Sequence, residues 1–293
     1  MHKKVLKEID AYTRAVLDSF YIDLKSDNTP ATTFRTYQSA LEYFFGTIEI
    51  PLDRLKSEDV FKWLVKCVWH LKPRTIEKYI SILSRFNNYC LINENIESIF
   101  IKRRWRPRIP KSLPKFLDSS EEARVKLEAL KSSSVVRALL LFLLSTGCRC
   151  SEAISLNIDD VNFEKRTAKV FGKGRKEREV NFNTECCIVL QEYLRKRNIE
   201  SSALFCKENG ERMTYNDAYR TIVKLGEKSN LTLRFTPHCC RHTFATRMLS
   251  RGASIFLIAK LLGHDDLNKT QIYARIPTSD LKLQYKQRMG WLY

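Results

Sequence analysis

The chain has 293 residues, with 51 Lys and Arg against 33 Asp and Glu, for a net charge of +18 at neutral pH. Hydrophobic residues at 44% and charged residues at 29% supply two domains or one large one, which excludes a disordered tail and a collagen-like repeat. The positive excess calls for a polyanionic partner, nucleic acid first among them, although a basic balance is shared with ribosome-associated and membrane-surface proteins.

No membrane span is predicted, because the longest apolar run, Val135–Leu144, is interrupted by Arg137 and is too short to cross a bilayer. The opening Met1-His2-Lys3-Lys4-Val5 leads into a mixed helical pattern and lacks the apolar core of a signal peptide. The nine cysteines are an odd number with no secretory signal, so a reduced, cytoplasmic compartment is expected.

The first 100 or so residues read as helices. Thr29 is a candidate N-cap ahead of Pro30, followed by Phe34, Tyr37, Leu41, Phe44 and Phe45 at helical spacing. A second helix is predicted from Ser57, with Val60, Phe61, Leu64, Val65 and Val68 on its apolar face. A third starts at Pro73 and carries Ile76, Tyr79, Ile80, Leu83, Phe86 and Cys90. The polar faces hold Arg35, Arg54, Lys72, Arg74 and Lys78, placed either to meet phosphates or simply to be solvated. Residues 101–114 hold Lys102, Arg103, Arg104, Arg106, Arg108 and Lys111 among three prolines, and are predicted to be an extended basic linker. The expected division is 1–100, 101–114 and 115–293.

Beyond the linker, Ser119 or Ser120 is a candidate cap for a helix opening with Glu121 and Glu122. Val135–Leu144 is apolar nearly all round and reads as a buried central helix. Strands at Ala168–Phe171 and Glu179–Phe182 flank a Gly-containing basic tip, a β-hairpin pattern. Helices are predicted again near Thr184, Thr214, Pro237, Ala253 and Leu267. The fold class is therefore mainly α with a small β-hairpin or sheet in the second domain.

Chemistry-bearing patterns concentrate in that second half. In Thr146-Gly147-Cys148-Arg149-Cys150-Ser151-Glu152 an arginine leaves an apolar helix at a glycine turn, with Glu152 available to orient it. At the hairpin tip, Gly172-Lys173-Gly174-Arg175-Lys176, a lysine can reach a phosphate or donate a proton, or be ordinary turn charge. Pro237-His238-Cys239-Cys240-Arg241-His242 puts His238 and Arg241 on one face at a helix amino terminus, where anions are favoured. Leu261-Leu262-Gly263-His264 ends a helix with Ile255, Leu257, Ile258, Leu261 and Leu262 on its apolar side and sets His264 on the turn beyond. Thr270-Gln271-Ile272-Tyr273-Ala274 carries a tyrosine that, taken alone, is a core or surface residue.

Taken together and in order, TGCRCSE, VFGKGRKEREV, TPHCCRHTFATRML and LLGHDDLNKTQIYARI resemble the tyrosine recombinases. TTFRTYQSALEYFF and PRTIEKYISILSRFNNYC resemble that family's core-binding domain, so the likeness spans most of the chain. It implies a two-domain, C-shaped DNA clamp, of the compact Xer-like kind rather than one with an added arm-binding domain. It also implies that Arg149 and Arg241 clamp the scissile phosphate, that Tyr273 is the nucleophile, and that His238 is its base. His264 would hydrogen-bond the phosphate, Lys173 would protonate the leaving 5′-oxygen, and Glu152 would hold the framework. Arg35, Arg74, Lys78, Arg103, Arg104, Arg106 and Arg175 are expected on the DNA backbone. The implied activity is site-specific recombination, for chromosome-dimer resolution or for mobile-element integration and excision. It proceeds through a 3′-phosphotyrosyl link, with no metal, nucleotide or other cofactor. The implied assembly is a homo- or hetero-tetramer on double-stranded DNA, nucleoid-associated, with Leu281, Leu283, Tyr285 and Met289 as a docking face on a neighbour. A type IB topoisomerase-like enzyme and a non-catalytic DNA-binding regulator are the alternatives. Cys148, Cys150, Cys239 and Cys240 lie beside the arginines; their spacing is no zinc pattern, and they read as buried residues or as redox-sensitive thiols.

Overall fold

A computed structural model describes residues 7–109, 114–172, 177–197, 200–263, 270 and 272–273. The chain divides into two compact units, Met1–Lys111 and Ser112–Tyr293.

The first unit is helical. Helix α1 (Ala11–Ser26) starts at Asp10, whose carboxylate accepts from the Thr13 N–H. Helix α2 (Ala31–Ile48) is entered through Pro30 rather than capped by Thr29, and α4 (Pro73–Ile92) has its proline at the first helical position, where the missing N–H has no partner to lose. Leu17, Phe20, Phe44, Ile80 and Phe86 are all buried in the core between them. Helix α3 (Ser57–Trp63) departs from the predicted stripe. It runs into a π-helical turn, Leu64–Val68, with more residues per turn than an α-helix. The buried face is Val60, Trp63, Leu64, Cys67 and Val68, and Phe61 and Val65 lie to the side of it and are exposed. Phe61 instead meets Trp69 and Trp105 edge-on or tilted, at 6.2 and 5.2 Å between ring centroids.

The basic stretch after α4 does not begin as an extended spacer. Ile101 and Trp105 are buried in the first core, and Arg103–Trp105 forms a short 3-10 turn. Two large apolar side chains hold this segment down in spite of the charge around them.

In the second unit, α5 (Ser119–Leu130) is capped by Asp118, not by Ser119 or Ser120, in a reciprocal capping box with Glu121. Helix α6 (Ser134–Thr146) is the predicted buried centre; it packs against α5, α8 (Thr184–Lys196), α9 (Tyr215–Lys228) and α10 (Pro237–Ser250). Short α7 (Cys150–Ser155) follows it. The hairpin is β2 (Thr167–Phe171) paired antiparallel with β3 (Glu177–Asn181), and an unforeseen two-residue strand, β1 (Val161–Asn162), extends it in the order β1-β2-β3. Helix α11 (Ile255–Leu262) packs with α10 through Ala245, Leu249, Ile258 and Leu262, while Leu257, predicted on its apolar face, is exposed. The helix predicted near Leu267 lies outside the described residues. Among the described residues no helix is long and apolar enough to cross a membrane.

Candidate active site

Gly147 closes α6 in the left-handed conformation, φ +63°, and a Cβ there would come 2.4 Å from the Phe244 ring. Only glycine meets both demands, and the turn it makes delivers Arg149 to the N-cap of α7. The Arg149 backbone N–H donates to Glu152 Oε2 at 2.7 Å and its guanidinium to Oε1 at 2.8 Å. Its other Nη donates to the Gly263 carbonyl at 3.3 Å, at the end of α11.

Glu152 is buried and does more than orient Arg149. Arg178, on β3, places Nη1 and Nη2 on its two oxygens at 2.9 and 2.8 Å. Burial works against the Glu152 charge, but hydrogen bonds from Arg178 and Arg149 overcome it and hold its pKa below the usual carboxylate value. Arg241, in the second turn of α10, is also buried and donates to the carbonyls of Gly147 at 2.9 Å and Leu262 at 2.7 Å. Burial, and then the charge of Arg149, lower its pKa to about 10, so it stays cationic at neutral pH. Arg149 and Arg241 thus sit near enough to feel each other's charge, an arrangement that favours an anion between them.

Tyr273 is 1% exposed and packs among Ala245, Leu249, Ile258 and Leu262. Its hydroxyl lies 2.8 Å from His242 Nδ1. The expected base, His238, stands one helical turn earlier on α10, with ring centroids of the two histidines 6.3 Å apart. The geometry therefore pairs the phenol with His242, a residue to which the sequence patterns assign no role. Burial, with His238 and Arg241 adding to it, pushes the His242 pKa down to about 4. Burial also raises Tyr273 to about 12, against the lowering effect of Arg241. Both groups are then neutral at pH 7, so the phenol donates and Nδ1 accepts. His238 is exposed at the surface, and its pKa is lowered by partial desolvation of the ring, then by Arg241 and Arg149.

Lys173, Arg175 and His264 lie outside the described residues, as do Leu281, Leu283, Tyr285 and Met289. In the first unit Arg35, Arg74, Lys78, Arg103 and Arg104 are exposed. Arg106 is committed elsewhere: it pairs with Glu77 and donates to Ser81 Oγ at 3.0 Å, tying the segment to α4. All nine cysteines are unpaired and buried. Burial pushes Cys148 up to about 12 and Cys150 up to about 11, and Cys240 well above the ordinary thiol value, so desolvation outweighs the neighbouring arginines. Among the described residues no group of His, Cys, Asp and Glu is arranged to hold a metal ion.

Comparison with known proteins gives the family of the chain. Residues 111–279 match the model of the phage integrase family. The chain is 33% identical to tyrosine recombinase XerA of Pyrococcus furiosus, over 91% of each chain. It is 30% identical to tyrosine recombinase XerD of Oceanobacillus iheyensis, over 89% of this chain and 92% of that one. In fold it is similar to a XerH site-specific recombinase bound to its palindromic difH substrate after cleavage, with a TM-score of 0.76 at 23% identity, covering 89% of this chain and 81% of that one. The chain belongs to the phage integrase family, the tyrosine recombinases.

Proposed function

We propose that this protein is a site-specific DNA recombinase that breaks and rejoins strands through a 3′-phosphotyrosyl intermediate at Tyr273. The observation that carries the reading is the convergence of Arg149, Arg241 and Tyr273, drawn from stretches far apart in sequence, on the end of α11. Two guanidinium groups match the non-bridging oxygens of a phosphodiester and offset the charge that grows in the transition state.

In the first step the Tyr273 oxygen bonds to phosphorus and the P–O5′ bond breaks. The phenol proton goes to an imidazole, and the leaving 5′-oxygen takes a proton from Lys173 to become a 5′-hydroxyl. His242, with a pKa near 4, is too weak a base for a phenol and serves better to hold it. His238 keeps the role of base, and His264 that of donor to the phosphate. Attack by a 5′-hydroxyl from a partner duplex reverses the chemistry and joins the strands; the bond energy is kept in the phosphotyrosine, so no cofactor is needed. A phosphate cannot reach a phenol that is 1% exposed, so DNA engagement must first bring Tyr273 out.

Exchange between two duplexes takes four such sites, which favours a homo- or hetero-tetramer on DNA, acting in the cytoplasm on nucleoid or mobile-element sequences. Exposed Arg35, Arg74, Lys78, Arg103 and Arg104 are suited to backbone contacts. A duplex with a nick beside the scissile phosphate tests the reading, since loss of the short fragment traps the covalent adduct. The adduct is expected with the native protein and absent in Tyr273→Phe, and a second duplex is expected to be joined. Relaxation of supercoiled DNA without joining would support the topoisomerase-like alternative; binding without an adduct would support the regulator.

A further inference from the structure

Helix α11 ends at Leu262, with Gly263 left-handed beyond it, and its last carbonyls have no partner within the helix. Side chains supply them. Leu261 O accepts from Arg178 Nε at 3.4 Å, Leu262 O from Arg241 at 2.7 Å, and Gly263 O from Arg149 at 3.3 Å. Three cations thus gather on the negative end of one helix. Arg178 differs from the other two. It spends Nε on this helix end and both Nη groups on Glu152, and its side chain is only 16% exposed. The fit is tight, because a Cβ on Gly263 would stand 2.9 Å from Arg178 Nε. Three of its five N–H groups are spent on protein acceptors, and little of the side chain is open to a phosphate.

Without Arg178, the buried Glu152 carboxylate would face Arg149 alone. It would then neutralise that guanidinium and turn it away from an incoming anion. We infer that Arg178 is a positioning residue for the strand-cleavage reaction: it takes up the Glu152 charge and fixes the end of α11, so that Arg149 meets the scissile phosphate as a net cation. This inference rests on the reading of Arg149 as a phosphate clamp.

The test compares cleavage of a nicked duplex carrying an ordinary scissile phosphodiester with cleavage of the same duplex carrying a methylphosphonate there. The methyl group removes the negative charge and with it the need for a cationic clamp. For Arg178→Ala, single-turnover cleavage of the phosphodiester is expected to fall about 10- to 100-fold with DNA affinity nearly unchanged, and the defect to shrink to within about threefold on the methylphosphonate. Arg178→Lys, which keeps a charge but not the fork, is expected to fall less and to show the same suppression; it carries the test if Arg178→Ala does not fold. An equal defect on both substrates would make Arg178 merely structural and overturn the inference, as would no defect on either. Arg149→Ala on the two substrates separates the layers. If it too shows no suppression, the clamp reading fails and takes the inference with it; if it is suppressed while both Arg178 variants are not, only the inference fails.

Discussion

Lowering the pH should weaken the second unit through His242. The ring is surrounded by α10 and Tyr273 and has its pKa pushed to about 4, against a free value near 6.5. A depressed pKa means that the unfolded chain binds the proton more readily, so stability is full above pH 6.5 or so and is lost as pH falls toward 4. Between about pH 7.5 and about pH 5, the difference in proton uptake integrates to a loss of about 2 kcal/mol, an upper figure because the ring is not wholly dry. Other groups titrate in the same range, so the measurement is a difference of differences. Urea unfolding is followed at both pH values for the native protein and for His242→Asn, whose Oδ1 can accept the Tyr273 hydroxyl but does not titrate. The native protein is expected to lose about 1–2 kcal/mol more than the variant over this range. Equal losses would refute the reasoning, and so would a His242 ring resonance that titrates near 6.5 in the folded protein.

The glycine turn before Arg149 gives a second expectation. Gly147→Ala combines left-handed strain with a clash on Phe244, and should cost about 2–4 kcal/mol in urea unfolding while slowing adduct formation, because the Gly147 carbonyl is an Arg241 acceptor. The +18 charge predicts DNA binding that weakens steeply with salt, and replacing exposed Arg103 and Arg104 by Ala should flatten the log–log slope by about 0.9 for each phosphate no longer neutralised. Replacing Arg106, which is tied to Glu77 and Ser81, should instead lower the unfolding midpoint of the first unit. The buried cysteines should resist a thiol reagent such as DTNB in the native state and react only on unfolding; prompt labelling of native thiols, with loss of activity, would revive a redox role.

The pieces legible in the sequence were those with a local signature. A glycine stop followed by Arg149, a Pro-started helix carrying Arg241, and an all-apolar α6 each announce themselves within a few residues. Arg178 and His242 do not, because each is defined by a partner far away in the chain, Glu152 and Tyr273. One clue to Arg178 did exist. It lies two residues before Val180, and so on the inward face of β3, where a charge needs a buried partner. The predicted stripe through Phe61 and Val65 leaves out Trp63 and Cys67, whose burial shifts the centre of the helix's inner face away from both. The grip of Ile101 and Trp105 on the first core was masked by the basic residues and prolines around them.

The hidden phenol has a thermodynamic corollary. If Tyr273 must leave its apolar seat before cleavage, the protein that binds DNA productively is a minor population, and the measured affinity for a cleavable site is the intrinsic affinity scaled by that population. Loosening the seat, for instance at Leu249 or Ile258, would then tighten apparent binding. It would also leave the nucleophile armed on sequences that contribute too little binding energy to release it in the native enzyme. Fidelity in such a protein would be set as much by the packing around one aromatic ring as by any contact with a base.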